Sequence, residues 1–125
     1  MSGNLIHITS EHDNHYLVEG KITQLNVIDL VQRLTANPMP PGTQLTLDLS
    51  HSRIEDGLAL LTVLNTLKAI ASRIARIELV KPPEQLERAV FDLHSGSQGR
   101  NIKVVLKPSI IQEVEKSAER LTEPA

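Results

Sequence analysis

Apolar residues recur along the chain at two spacings, and each spacing predicts a different element. Short segments of alternating or mixed polarity indicate strands, and they occur over residues 5–9, 15–19, 45–49, 76–80 and 102–106. A spacing of three and four residues marks one buried helix face, and it occurs over residues 27–34, 57–72, 83–93 and 109–121. The predicted order of elements is therefore ββαβαβαβα.

The order of these elements also predicts how the strands pair. Only the short polar segment 11–14 separates the first two strands, which favours an antiparallel hairpin. The later strands alternate with helices, and such β–α–β crossovers place helices against a parallel sheet. We therefore expect one α/β domain with a mixed, mostly parallel sheet. Its predicted core includes Leu47, Leu49, Leu64, Leu67 and Ile77.

Polar segments separate the predicted elements. Residues 37–42 contain three prolines and must end the first helix, because proline lacks the N–H donor and clashes with the preceding turn. Residues 50–56 are predicted to form a polar loop around a single apolar residue, Ile54. Residues 94–101 are rich in glycine and serine and are predicted to form a flexible loop.

Composition excludes several classes of protein. The 125 residues suit one domain, and 13 basic against 15 acidic residues give a net charge of −2, which argues against nucleic-acid binding. Tyr16 and Phe91 are the sole aromatic residues, too few for base stacking. The absence of cysteine fits a reducing compartment. The chain begins without a secretory signal pattern, and its most apolar stretch, 58–71, is too short to span a bilayer. We expect a cytoplasmic protein that does not insert into a membrane.

The sequence carries no recognisable catalytic motif. The sequence contains no phosphate-binding loop, no dinucleotide-binding glycine motif and no nucleophile elbow. His12 and His15 have no third ligand nearby, so they are interpreted as turn residues and not as a metal site. His51 is interpreted as an exposed polar residue. We therefore expect no enzymatic activity, no cofactor and no metal.

The most informative segment is the junction between the third predicted strand and the second predicted helix. Asp56 directly precedes the helix and is a natural N-cap, and Glu55 and Asp56 lie at the positive end of the helix dipole. One interpretation is that the two acids only cap the helix. The other is that this junction forms a recognition surface at the carboxyl end of a strand, and its candidate partner-binding residues are Ser50, Ser52, Glu55, Asp56, Gly57 and Leu58.

The order and spacing of these motifs resemble the STAS domain of anti-sigma factor antagonists. The resemblance covers residues 4–121, and it rests on Gly20-Lys-Ile22, Leu45-Thr-Leu-Asp-Leu-Ser50, Gly57-Leu58 and Ile77-Glu-Leu-Val80. It implies a single STAS-like domain in a bacterial regulatory protein that binds an anti-sigma kinase. A bacterial phospholipid transporter also carries a STAS subunit, so the ATPase of an ABC transporter is an alternative partner. A nucleotide- or small-ligand-binding module is a further alternative.

The sequence departs from the family pattern at its regulatory position. The resemblance implies a phosphorylatable serine or threonine directly before the glycine, but this chain has Asp56 there, preceded by Ile54 and Glu55. A carboxylate carries less charge and fewer acceptor oxygens than a phosphate. Asp56 is therefore interpreted as a partial and permanent mimic of the phosphorylated residue, or as a cap without regulatory meaning.

Overall fold

The computed structural model describes residues 6–105, and it contains five strands and three helices in the predicted order. The strands are β1 (His7–His12), β2 (His15–Ile22), β3 (Gln44–Ile54), β4 (Arg76–Val80) and β5 (Ile102–Val105). The helices are α1 (Val27–Thr35), α2 (Gly57–Ala71) and α3 (Glu84–Ser95). The helix predicted over residues 109–121 lies outside the described residues.

The five strands form one sheet in which each strand pairs with the next along the chain, in the order β1-β2-β3-β4-β5. β1 is antiparallel to β2, and the other three pairs are parallel. This confirms the α/β class and the mixed, mostly parallel sheet. Side chains from all three helices and from β3 surround one small space in the core, so the helices lie on the same face of the sheet. Right-handed crossovers that all progress in one direction produce this arrangement.

The helix-covered face of the sheet holds the apolar core. In β3 the alternate residues Leu45, Leu47 and Leu49 are buried, because successive side chains of a strand point to opposite faces. The predicted burial of Leu47, Leu49, Leu67 and Ile77 is confirmed. The predicted burial of Leu64 is wrong: it lies at the margin of the buried stripe of α2 and is only half-buried, packed against the core.

The opposite face of the sheet carries a polar row. The register places His15, Thr46, Glu78 and Lys103 in one row across four strands. Glu78 is only 1% exposed, and its Oε1 lies 3.2 Å from Nη2 of Arg76. The alternation of leucine with threonine and aspartate therefore gives β3 itself one apolar and one polar side.

The predicted polar loop over residues 50–56 is wrong for its first five residues, because Ser50–Ile54 continues β3. β2 also extends beyond its predicted end and pairs with this segment up to Ile22 and Ile54. The pairing of β2 with β3 shifts register between Leu17 and Glu19. Beyond this irregularity the buried residues of β3 are the even-numbered Ser52 and Ile54 instead of the odd-numbered leucines. The break in alternation made the strand resemble a loop.

α3 also extends beyond its predicted end at Leu93 and includes His94 and Ser95. The Nε2 atom of His94 lies 2.8 Å from the carbonyl oxygen of Gly99 and 2.9 Å from that of Ile102. Because carbonyl oxygens only accept hydrogen bonds, this nitrogen carries the proton and donates to both. His94 thus connects the end of α3 to the start of β5.

No helix within residues 6–105 has the length and apolar composition that crossing a bilayer requires.

Candidate functional site

The turns that lead into α1 and α2 begin side by side at one edge of the sheet. Ile22 and Ile54 are paired in the parallel register of β2 and β3, and the N–H of Glu55 donates to the carbonyl of Ile22 at 3.0 Å. The carboxyl ends of parallel strands share an edge of the sheet, which is where α/β proteins commonly bind ligands and partners.

Asp56 joins these two turns. Its backbone is extended, and its Oδ1 accepts from the N–H of Ala59 at 2.8 Å, which makes it the N-cap of α2. Its Oδ2 accepts from the N–H of Gln24 at 2.9 Å, in the turn before α1. The N-cap was predicted from the sequence. The contact with Gln24 was not, because the two residues are 32 positions apart.

Backbone hydrogen bonds stabilise the ionised form of the Asp56 side chain. Donation from the N–H of Ala59, and then from those of Gln24 and Leu58, lowers the pKa of Asp56 below its ordinary value of 3.8, whereas desolvation opposes this shift. The Asp56 side chain is therefore a carboxylate at neutral pH.

Acid should remove the stabilisation that Asp56 provides. Because its pKa is lower in the folded than in the unfolded chain, this stabilisation is complete above the unfolded pKa, near 3.8, and is lost as the pH falls through the folded value. The urea midpoint of the wild type should therefore fall more steeply than that of Asp56→Asn when the pH decreases from about 5 to about 2. Asp29→Asn, at an exposed acid in the first turn of α1, is the matched control. Parallel pH profiles of wild type and Asp56→Asn would contradict this.

The structure separates the six predicted binding residues into two groups. Ser50 and Ser52 belong to β3: Ser50 Oγ donates to Oδ1 of Asp48 at 2.6 Å, and the buried Ser52 donates to the carbonyl of Leu49 at 2.9 Å. Both hydroxyls are thus occupied within the strand. The other group, Glu55, Asp56, Gly57 and Leu58, lies at the edge where α2 begins.

Four aliphatic side chains at this edge are exposed to solvent. They are called the apolar cluster here, and their exposed fractions are 71% for Leu25, 51% for Ile28, 56% for Leu58 and 53% for Leu61. Of these four residues, only Leu58 was predicted from the sequence to bind a partner. The spacing contained a signal for Ile28, because it lies outside the buried stripe of α1 formed by Val27, Leu30 and Leu34.

Acidic side chains accompany the apolar cluster. Asp29 in the first turn of α1, together with Glu55 and Asp56 before α2, is called the acidic rim. Acidic residues are favoured there because the N-terminal end of a helix is the positive end of its dipole. Glu55 is exposed, and its Oε1 lies 3.9 Å from Nζ of the exposed Lys21. An exposed pair at this distance leaves both charges accessible to a partner.

A groove runs between α1 and α2 and is called the α1–α2 groove. It has a volume of about 420 Å³. Its lining includes Val31 and Thr35 of α1, Thr62, Asn65, Thr66 and Ala69 of α2, and Arg73. The hydroxyls of Thr35, Thr62 and Thr66 donate to carbonyls within their own helices, so their oxygens remain available as acceptors.

The histidines do not assemble a metal site in the described part of the chain. No group of three histidine, aspartate or glutamate side chains within residues 6–105 has a geometry that could hold a metal ion. The Nε2 atom of His15 lies 3.6 Å from Oε1 of Glu11, and His51 is exposed on β3.

Three comparisons with known proteins found no relative. No family model, curated protein or solved structure matches the chain.

Proposed function

We propose that this chain is a non-enzymatic regulatory module that binds a protein partner at the edge where α1 and α2 begin. The binding residues are those of the apolar cluster and the acidic rim, together with Gly57. One observation carries the proposal: Asp56 hydrogen-bonds both turns, so the apolar cluster lies on two helix ends that are joined to each other. Exposed apolar residues with a polar border are typical of protein interaction sites.

The shape of the molecule favours a protein over a small ligand as the partner. Small-molecule sites are concave and measure about 300–1,000 Å³. The space that α1, α2 and α3 surround in the core measures about 10 Å³, room for about one water molecule. The α1–α2 groove, at about 420 Å³, lies within that range of volumes, but most of its lining residues are polar and none is aromatic, whereas small-molecule sites are lined mainly by apolar and aromatic side chains. The apolar cluster is exposed at helix ends, where a protein surface can cover it. The acidic rim disfavours nucleic acid and anionic lipid, because like charges repel.

The partner proposed from the STAS resemblance is an anti-sigma kinase or the ATPase of an ABC transporter, in the bacterial cytoplasm. The geometry of Asp56 bears on how such a partner would be regulated. Its two carboxylate oxygens accept from Ala59 and Gln24 at the same time. The single oxygen of a serine hydroxyl would hold these two turns together less well. We therefore propose constitutive binding in which the acid maintains the surface and no phosphate controls it.

Two substitutions test the proposed surface: one reverses the charge of an acidic residue, and the other places a charge on an apolar residue that the partner would cover. Glu55→Lys combined with Leu58→Asp should weaken partner binding at least about tenfold, because both side chains are exposed and would lie within the interface. Asp56 is left intact because its reversal would also remove the helix cap. Affinity capture from the native host with quantitative mass spectrometry, followed by titration of the purified partner, measures the effect.

Phe91→Asp is the matched control, because Phe91 is exposed on α3 and lies outside the apolar cluster. It should retain the partner, and both proteins should unfold at the wild-type urea concentration. A partner that binds the Glu55→Lys/Leu58→Asp protein as tightly as wild type would overturn the proposed surface. The identity of the partner distinguishes a kinase from a transporter ATPase.

A further inference from the structure

We propose that the partner contacts this edge with a cationic amphipathic α-helix. The helix lies along the α1–α2 groove, its apolar face covers the apolar cluster, and its basic residues face the acidic rim. This inference rests on the proposed function and specifies the chemistry of the partner segment.

The shape of the surface favours a helix. α1 and α2 start at the same edge and pack against each other, and the groove between them runs from Val31 and Thr62 towards Arg73. The apolar cluster adjoins this groove, because Ile28 and Leu58 lie about one helical turn before Val31 and Thr62. A helix packs into such a groove by fitting its ridge of side chains between those of its neighbours. The 15 residues of α2 extend about 22 Å, enough to contact three to four turns of a partner helix. Docking of an amphipathic helix in a groove is a common mode of recognition between proteins.

The distribution of charge favours a cationic partner helix and indicates which end of that helix carries the basic residues. The acidic rim lies where α1 and α2 begin, before the first lining residues of the groove, Val31 and Thr62, and within residues 6–105 Asp29 forms no ion pair. The other end of the groove carries Arg73. The basic residues of the partner helix therefore lie towards the acidic rim, and its other end is neutral or acidic. Opposite charges placed in this way fix the orientation of the two partners and raise the association rate.

The middle of the groove supplies hydrogen bonds. Asn65 is exposed, and the threonine oxygens that line the groove can each accept a hydrogen bond. Glutamine, serine or asparagine on the contacting face of the partner helix would satisfy these groups. The matching sequence is thus apolar and basic at one end and polar at the other.

Synthetic peptides of about 15 residues test this directly. The first is an amphipathic helix with leucines on one face and lysines at one end. The second replaces its lysines by glutamates, and the third has the first peptide's composition in an order without helical periodicity. Each is titrated into the full chain, labelled with nitrogen-15, and the amide chemical shifts are recorded. The affinity of fluorescein-labelled peptide is measured by anisotropy.

The cationic helix should bind at least about tenfold more tightly than either other peptide, and shifts should concentrate in residues 24–35 and 56–73. Leu58→Asp and Asp29→Lys should each weaken binding about fivefold or more. Phe91→Asp and Glu87→Lys are the matched controls, since Glu87 is an exposed acid in the first turn of α3. They should change the affinity by less than about twofold.

Three results would overturn the inference: equal binding of the anionic or the aperiodic peptide, shifts centred on α3 or the polar sheet face, or equal weakening by Asp29→Lys and Glu87→Lys. Binding of the chain to anionic phosphatidylserine vesicles as tightly as to the cationic peptide would overturn it as well. The proposed function would survive these results if capture of the partner still depends on Glu55 and Leu58. If capture is also insensitive to those residues, both proposals are wrong.

Discussion

Replacement of Leu67 by alanine is expected to lower the free energy of unfolding by about 2–5 kcal/mol. Leu67 lies in the middle of α2, is 0% exposed and belongs to the core that the three helices and the sheet share. The substitution removes apolar contacts and leaves a cavity, because packed neighbours relax only partly. Urea denaturation followed by circular dichroism measures the loss.

Leu64→Ala is the matched control, since it makes the same chemical change in the same helix. Leu64 is half-buried, so its truncation exposes less core and leaves a space that solvent can partly fill. Its cost should be about half that of Leu67→Ala or less. If the two variants unfold at the same urea concentration, the buried stripe of α2 has been assigned to the wrong side of the helix.

Asn26→Ala should destabilise the fold by about 2–3 kcal/mol, since two hydrogen-bonded groups lose their partner. Asn26 is 4% exposed and directly precedes α1. Its Oδ1 accepts from the N–H of Thr23 at 2.9 Å, and its Nδ2 donates to the carbonyl of Lys21 at 2.8 Å. Alanine would leave that N–H and that carbonyl without the side-chain partner.

Asn65→Ala separates this effect from a general consequence of removing an asparagine. Asn65 is exposed on α2, so its replacement should change the free energy of unfolding by less than about 0.5 kcal/mol. Chemical denaturation of both variants gives the comparison. An Asn26→Ala protein as stable as Asn65→Ala would show that water replaces the Asn26 side chain at no cost.

Spacing of apolar residues predicted the type and order of every described element, because burial on one face imposes a period on any helix or strand that packs against a core. The predicted turn over residues 11–14 is wrong for its first two residues, because β1 continues to His12. The spacing failed where the period changed. The buried residues of β3 are the odd-numbered leucines before the register irregularity opposite Leu17 and Glu19, and the even-numbered Ser52 and Ile54 after it. The apolar period of the strand therefore did not continue through Ser50–Ile54. Such an irregularity depends on the pairing of two distant segments, and the local sequence does not report it.

The parts of the candidate site that depend on residues adjacent in sequence could be predicted from the sequence. Asp56 was recognised as an N-cap because a capping residue and the helix it caps are adjacent in sequence. Its bond to Gln24, and the structural role of Asn26, depend on how β2 and β3 align. The polarity of Ser50 and Ser52 indicated a binding loop, whereas these serines hydrogen-bond within β3.

The order of the strands has a consequence for how the chain reaches its fold during synthesis. Within residues 6–105, every strand after the first pairs with the one made just before it, and no later strand is inserted between two earlier ones. Each new strand that leaves the ribosome therefore meets a sheet edge that already exists, and the loop it must close is never longer than one crossover. Short loop closures cost less chain entropy and favour fast folding. The hairpin of β1 and β2 can act as the template from which the whole sheet extends in one direction.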